Sequence, residues 1–478
     1  MGEFGEGLSL CVESDKGMPM GRTERDSMGE MEVPDDALYG ASTQRAVENF
    51  PISGERMPRE LIHAYGQLKS AAAAVNRDLG ELDESRAGRI IAAADAVAAG
   101  RHDEQFPVDV YQTGSGTSTN MNVNEVIARL ASEADASAPP VHPNDHVNLG
   151  QSSNDSFPTA IHLAAAVALT EELLPSLSGL RSALDERAVA FHDVMKIGRT
   201  HLMDAVPMRL GQAFGGWARQ IEQAEARVRT AAESLAELPL GGTAVGTGLN
   251  THPEFAEKSI AALARVTGFP FRRAANAFEA QGARDAVIEA HGQLNTVAVS
   301  LHKIASDVRL LGSGPRCGLG ELALPAVQPG SSIMPGKVNP VMVESVTMVA
   351  ARVFGNQATL THAGCGGFLE LNVSMPLMAK CLMESIDLLA NVTRAFAEKC
   401  VVGIEANAER CAEWIEQSMA MVTSLVPIIG YDRAAALAKE AMNEGRTIRE
   451  VCEARLDELG LDQAQLDRAL DPARMTGA

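Results

Sequence analysis

Between Val287 and Leu311 the apolar residues fall at Val287, Leu294, Val297, Leu301, Ile304, Val308 and Leu311. Steps of seven, three and four keep one stripe aligned along an α-helix, because residues three and four apart share a face. At about 1.5 Å per residue such a helix is longer than a small domain is wide, and its stripe has to be covered along the whole length. Comparable stripes run through Leu163, Val167, Leu174, Leu177 and Leu184, and through Met378, Leu382, Leu389, Val392 and Phe396. Pro175 is expected to kink the first of these, since it lacks the N–H that a helix interior uses. Strand signals are sparse: Asp26 to Pro34 reads as a short hairpin, and Leu238 to Leu249 as a Gly/Thr-rich loop. The chain is therefore expected to be mainly α, with a central bundle of long helices. Stripes on several helices suggest that other copies of the chain complete the bundle.

With 478 residues there is room for roughly three domains. The texture divides into an acidic, Gly-rich extension at 1–20, expected to be disordered; an N-terminal domain at 21–150; the long-helix bundle at 151–405; and a small C-terminal helical domain at 406–478. A start at Met20 or Met28 is an alternative to the extension. The net charge of −21 argues against nucleic acid or an anionic membrane as partner, and any site for an anion needs local positive charge. No apolar run approaches the ~20 residues of a membrane span, and the N-terminus lacks the basic-then-apolar order of a secretory signal. The seven Cys (11, 317, 365, 381, 400, 411 and 452) are odd in number and lack metal-ligand spacing. They read as reduced, mostly buried thiols of a cytosolic protein, with no metal expected. Cys365, inside Gly364-Cys365-Gly366-Gly367, reads as a small residue at a close approach rather than as a nucleophile.

The polar chemistry gathers in four loops. Gly330 to Pro340 holds the hydroxyls of Ser331 and Ser332, the ammonium of Lys337 and the amide of Asn339. Asn339 and Pro340 read as an N-cap and first helical residue, which makes the loop a helix N-terminus suited to an anion. Thr113 to Asn120 precedes a helix pattern at Asn124–Leu130, and Gln151-Ser152-Ser153-Asn154-Asp155 precedes the helix that follows Pro158. Gly198-Arg199-Thr200-His201 leads past Pro207 into Leu210–Glu222. A surface turn with a helix cap explains any one of these. Four together, one with His and one with Lys, point to a shared polyanion site. There is no Gly-x-Ser-x-Gly elbow, Walker lysine loop, Gly-x-Gly-x-x-Gly after a strand, or His-Glu-x-x-His, which disfavours the usual hydrolases, nucleotide binding, dehydrogenation and metalloprotease action. What remains suits proton abstraction beside a carboxylate. The resulting enolate-like dianion would be held by amides, hydroxyls and Lys337, with Ser331 as base and His201, beside an acidic partner, handling the leaving group's proton.

These residues resemble the fumarase/aspartase superfamily, and specifically its class II fumarate hydratases, from about Arg22 to Thr476. The likeness is carried by Thr-Gly-Ser-Gly-Thr at 113–117, His-Pro-Asn-Asp at 142–145, Gln-Ser-Ser-Asn-Asp at 151–155, Gly-Arg-Thr-His at 198–201, Gly-Gly-Thr-Ala-Val-Gly-Thr-Gly at 241–248 and the 330–340 segment. The resemblance implies a three-domain chain forming a homotetramer, with each active site shared by three subunits. It implies reversible hydration of fumarate to (S)-malate by anti addition of water through an aci-carboxylate intermediate, without a cofactor. By position, Ser331 resembles the base and His201 the second acid/base group, acting through a water and oriented by Glu344. The other assignment open to the family makes that water the base. Ser115, Gly116, Thr117, Ser152, Ser153, Asn154, Thr200, Ser332, Lys337, Val338 and Asn339 would hold the carboxylates, and His142, Pro143, Asn144 and Asp145 resemble a second anion site. Aspartate ammonia-lyase, on the same scaffold, is the alternative activity. Gly336, His201 and Glu370-Leu371-Asn372-Val373 favour fumarase. A catalytically silent structural homologue is the remote alternative, disfavoured by intact Ser331, Lys337, Asn339 and His201. His146, Met203, Arg209 and Ala213 depart from the more familiar pattern, and Arg209 adds a positive charge able to alter substrate choice or a subunit interface.

Overall fold

The computed structural model describes residues 21–477, so the extension expected at 1–20 lies outside the described residues. The first element is a hairpin of β1 (Gly21–Asp26) and β2 (Gly29–Pro34), paired from Gly21↔Pro34 to Asp26↔Gly29. It begins earlier than the expected Asp26. Helices α1 (Ala41–Asn49), α2 (Arg59–Asp78), α3 (Glu84–Ala98), α4 (Thr117–Glu133), α5 (Ser153–Ala168) and α6 (Leu174–Ala190) follow. A second hairpin of β3 (Met195–Thr200) and β4 (Met203–Arg209) leads to α7 (Leu210–Ser234), α8 (Phe255–Thr267) and the short α9 (Ala277–Gly282). Then come α10 (Asp285–Leu311), α11 (Val341–Gly364) and α12 (Met375–Lys399), with shorter helices to the C-terminus. Two compact units result: the described residues up to Phe157 with Leu240–Leu263, and Pro158–Pro239 with the residues from Ala264 onward.

In the first unit α2 lies against α3, while α1 and α3 lie against α4. Gly40, before α1, has no side chain with which to cap the helix. Glu125 of α4 does so from a distance: its carboxylate accepts from the N–H groups of Gly40, Ser42 and Thr43 at 3.0–3.1 Å.

In the second unit α6, α7, α10, α11 and α12 pack on one another. Val287, Leu294, Val297, Leu301, Ile304 and Val308 are buried as their spacing predicts, and only Leu311, at the helix end, is half-buried. His291 on the same face joins three helices, with Nδ1 2.7 Å from Gln357 Oε1 on α11 and Nε2 2.8 Å from Ser385 Oγ on α12. Burial holds its pKa below the usual value, and this satisfied network fixes the mutual register of α10, α11 and α12. Between α5 and α6 the irregularity expected at Pro175 takes the form of a π-helical turn, Leu169–Leu173. The wider turn absorbs the missing N–H and rotates the apolar face. Leu169 and Leu173 are therefore buried, whereas Val167 and Leu174, expected on the stripe, are half-buried. The C-terminal helices enclose their own apolar cluster, which includes Ile415, Leu425, Leu437, Val451 and Leu466 and reaches Ile197 of β3.

One expectation is corrected. The continuous helical stretch Ser153–Ala190 is long and apolar enough to cross a membrane by length and composition, with 67% of its most apolar window buried inside the protein. Its apolarity is accounted for by that core position.

The α2–α3 contact is set by Gly66, where a Cβ would lie 2.4 Å from Ala98 N and 2.8 Å from Ala94 O. Both are backbone atoms of a helix and cannot move aside cheaply. Gly66→Ala is expected to lower stability by roughly 1–3 kcal/mol, read as a fall in the midpoint of thermal unfolding.

Candidate active site

In the first unit the site elements are helix starts. Gly116 is the N-cap of α4 with φ 75°, and a Cβ there would meet the Phe157 ring at 1.9 Å. Only glycine fits. Helix α4 therefore begins at Thr117 rather than Asn124, because its polar first turn gives no apolar periodicity to read. Ser115 Oγ lies 2.9 Å from Thr117 Oγ1, which lies 2.8 Å from Ser153 Oγ, a chain of three hydroxyls. Similarly α5 begins at Ser153, which places Pro158 inside the helix. Ser152 Oγ accepts from Asn154 N at 3.2 Å, and Asn154 Nδ2 donates to the Ala244 carbonyl at 2.9 Å.

Asp155, fully buried, holds these pieces together. Its carboxylate accepts from the N–H groups of Ser152, Gly241 and Thr243 at 2.9–3.0 Å. Burial pushes its pKa up to about 6, opposed by those three amides and by Lys69. Lys69, also fully buried, donates to Asn120 Oδ1, Asn148 Oδ1 and Gln151 Oε1 at 2.9–3.0 Å. Burial pulls its pKa down to about 7.

His142 caps a π-helical turn, Pro143–Val147. Its Nδ1 accepts from Asn144 N at 3.3 Å and Asp145 N at 3.1 Å, and its own N–H donates to His146 Nδ1 at 2.7 Å. The His142 ring nitrogen thus occupies the N–H groups that an anion would use at that turn. His142, Asn144 and Asp145 are exposed.

In the second unit Gly198, Arg199 and Thr200 are strand residues of β3, not a loop feeding a helix as expected. His201 and Leu202 form the hairpin tip, both left-handed at φ 55° and 61°. Two positive-φ residues match the twist of a two-residue hairpin turn, at some cost for side chains other than Gly or Asn. Strand β3 is anchored along its length by buried Glu321, whose carboxylate lies 2.7 Å from Arg199 Nη1 and 3.2 Å from Lys196 Nζ. Arg209 does not present a free charge. It donates to the His192 carbonyl at 3.1 Å, lies 3.6 Å from Asp193, and takes part in the capping of α7 with Gln212.

The 330–340 loop closes on itself. Gly330 N donates to Lys337 O at 2.8 Å, Lys337 N to Met334 O at 3.2 Å, and Asn339 Nδ2 to Gly330 O at 2.8 Å. Asn339 is therefore the clasp of the loop. The expected N-cap role belongs to Pro340, with no side-chain cap, and α11 starts at Val341. Within the clasp, Ser331 Oγ accepts from the N–H groups of Ile333 at 3.2 Å and Met334 at 3.0 Å. Ser332, Lys337 and Val338 are exposed, and among the described residues no carboxylate pairs with the Lys337 ammonium. Glu344 sits half-buried in the first turn of α11.

The structure thus joins Ser115, Thr117 and Ser153 directly, and gathers Ser331, Ser332, Lys337, Val338 and Asn339 in one closed loop. Among the described residues no hydrogen bond links His201, Ser331 and Glu344. Lys69 and the organising role of Asp155 were missed. The signal for Lys69 was present: it falls four residues after Tyr65, on the buried face of α2 shared with Leu61, Leu68 and Ala72, where a charged residue is out of pattern.

Gly330 is the loop's tightest point, since a Cβ would lie 2.5 Å from Lys337 O and 2.8 Å from Asn339 N. Gly330→Ala is expected to open the clasp and lower turnover by about 10²-fold through misplacement of the loop, with helical circular dichroism unchanged.

The lyase family matches residues 29–355, and a family described as the fumarase C C-terminus matches residues 421–477. Over 455 residues the chain is 54% identical to a protein of Xylella fastidiosa named fumarate hydratase class II, with 95% of each chain covered. Identity to a protein of the same name from Mycobacterium tuberculosis is 54% over 459 residues, 96% of each. Among solved structures it is similar to the recombinant class II fumarase from Schistosoma mansoni, with a TM-score of 0.92, 41% identity, and 95% and 99% of the two chains covered.

Proposed function

The chain belongs to the class II fumarate hydratase family, and on that premise we propose how its own residues carry the reaction. It is a hydro-lyase that interconverts fumarate and (S)-malate. The observation that carries the assignment of roles is the pair of backbone N–H groups aimed at Ser331 Oγ. Two donors stabilise an alkoxide over a hydroxyl and so make the serine a stronger acid, as does the Lys337 ammonium in the same loop. In the dehydration direction Ser331 takes the proton from the carbon beside one carboxylate of malate. That carboxylate becomes the aci-carboxylate dianion, and its added charge is held by Lys337, Ser332, the remaining N–H of Asn339 and the backbone near Val338.

The other carboxylate is held by Ser115, Gly116, Thr117, Ser152, Ser153, Asn154 and Thr200. His201, through a water and oriented by Glu344, gives the departing hydroxyl its proton on the opposite face, which makes the elimination anti. The chemistry draws on no metal or cofactor. A second, surface anion site at His142 to Asp145 would require the His142 ring to release the N–H groups of Asn144 and Asp145 that it now accepts.

The active protein is a homotetramer whose active sites are each shared by three subunits. The separation of His201 from any hydrogen bond to Ser331 or Glu344 supports this. So do the large apolar side chains exposed on the second unit, among them Leu202, Met203, Ile333, Met348 and Phe354. A three-part division at 21–150, 151–405 and 406–478 is supported by the apolar cluster that the C-terminal helices enclose. The protein works in the cytoplasm on a small dicarboxylate, a location in keeping with its six described cysteines, all free thiols.

Ultraviolet absorbance of the fumarate double bond is expected to rise when purified protein receives (S)-malate and to stay flat with L-aspartate. A rise with aspartate accompanied by ammonia would move the activity to the amine-eliminating branch. Ser331→Ala is expected to lower turnover by about 10²–10⁴-fold with the assembly intact; near-normal turnover would remove Ser331 as the base. His201→Asn is expected to lower kcat by at least about 10²-fold. Asn tolerates the left-handed tip, so such a loss reports chemistry rather than folding.

A further inference from the structure

Lys69 lies at 0% exposure in the first unit, on the face of α2 that should be apolar. Burying an ammonium costs several kcal/mol unless every donor finds an acceptor. Here each does, and each acceptor is a neutral amide oxygen: Asn120 at 2.9 Å, Asn148 at 3.0 Å and Gln151 at 2.9 Å. The amides cannot turn to offer N–H instead. Asn148 Nδ2 donates to Gln151 O, and Gln151 Nε2 to Val147 O and Leu149 O, which leaves their oxygens facing the lysine. Three acceptors need three donors, so the cradle fits the charged ammonium and not the neutral amine, which has only two N–H bonds.

The placement of these partners is what matters for function. Asn120 stands in the first turn of α4, directly after Ser115, Gly116 and Thr117. Gln151 adjoins Ser152 and Ser153 at the start of α5. The Ser156 hydroxyl donates to the Ser152 carbonyl at 2.7 Å and lies 3.3 Å from Asn120 Oδ1. We propose that Lys69 is a positioning residue for dicarboxylate binding. Its buried ammonium ties the N-termini of α4 and α5 together through Asn120, Asn148 and Gln151, and sets a positive charge behind the hydroxyls that hold one substrate carboxylate. The inference rests on the proposed role of Ser115, Thr117, Ser152 and Ser153. A chain of net charge −21 repels a dianion at long range, and a cation buried near its site is screened by salt far less than a surface one.

The charged and titratable groups facing Lys69 are Asp155 of α5 and Tyr65 of its own helix, whose ring centroid is 5.8 Å from Nζ; α4 and the 148–151 segment face it with amides. Burial lowers the Lys69 pKa to about 7. The ammonium is therefore present below that pH and lost above it. A bound dianion stabilises the ammonium, so affinity falls as pH rises through this range.

The test measures succinate, a dicarboxylate that cannot react, by titration calorimetry from pH 6 to 9, alongside KM and kcat for fumarate. In the unaltered protein the succinate Kd should rise by about tenfold per pH unit at most above neutrality. Lys69→Met should raise the succinate Kd and the fumarate KM by about tenfold or more, change kcat by less than about threefold, and abolish the pH-dependent rise. Asn148→Asp, which adds a negative charge beside the ammonium, should move that rise to higher pH. A Lys69→Met protein with unaltered affinity, or one that keeps the pH-dependent rise, overturns the proposal. If Lys69→Met fails to fold, Asn148→Asp decides alone, and an unmoved pH profile overturns it. Succinate binding without fumarate turnover would count against the assigned reaction, while the role of Lys69 would still be decided by the calorimetry.

Discussion

The first turn of an α-helix leaves backbone N–H groups without intrahelical partners, and the architecture of this chain turns on how each set is satisfied. At α1 the carboxylate of Glu125 takes three of the amides there, and the helix start is closed to any ligand. At the turn after His142 an imidazole nitrogen does the same work. At α4 and α5 the N-cap positions carry glycine and small hydroxyl residues, with buried Asp155 and Lys69 holding the loops from behind. Before α11 the loop folds back on itself so that two amides point at a serine hydroxyl. A carboxylate ligand is an acceptor-rich object that helix starts of the open kind can bind and those of the closed kind cannot.

Behind the loops, rigidity comes from buried polar groups that are paired rather than from apolar packing alone. Glu321 binds Lys196 and Arg199 along β3 of the hairpin, and His291 locks α10 to α11 and α12. Removing one partner from such a set leaves a buried charge or donor without compensation, so these contacts specify one arrangement more than they add net stability.

Much of the fold was legible in the sequence because long helices bury long stripes. The α10 positions from Val287 to Val308 are buried where period alone put them. Legibility failed where polar residues set the geometry. Helices α4 and α5 begin at Thr117 and Ser153, several residues before their apolar patterns, since a first turn made of polar residues has no apolar face to show. Asn339 and Pro340 satisfy the usual cap preferences, yet the side chain of Asn339 finds a better partner in the Gly330 carbonyl, across the loop. The hairpin tip was unreadable for a related reason: His201 and Leu202 are poor residues for two successive left-handed positions, and no local rule would place them there. The loops of the site were visible as composition, but the buried lysine and aspartate that organise them sit in contexts that read as helix interior.

That hairpin tip has a bearing on how the protein would respond to selection. A sequence chosen for folding alone would put Asn-Gly at such a turn, and the two residues present forgo part of the stability that this choice offers. A library screened only for heat resistance would therefore drift toward His201→Asn and Leu202→Gly, improving the turn while discarding the imidazole. On the role proposed for His201, a stability-guided redesign of this scaffold has to hold that position fixed, because there the backbone preference and the side-chain requirement pull in opposite directions.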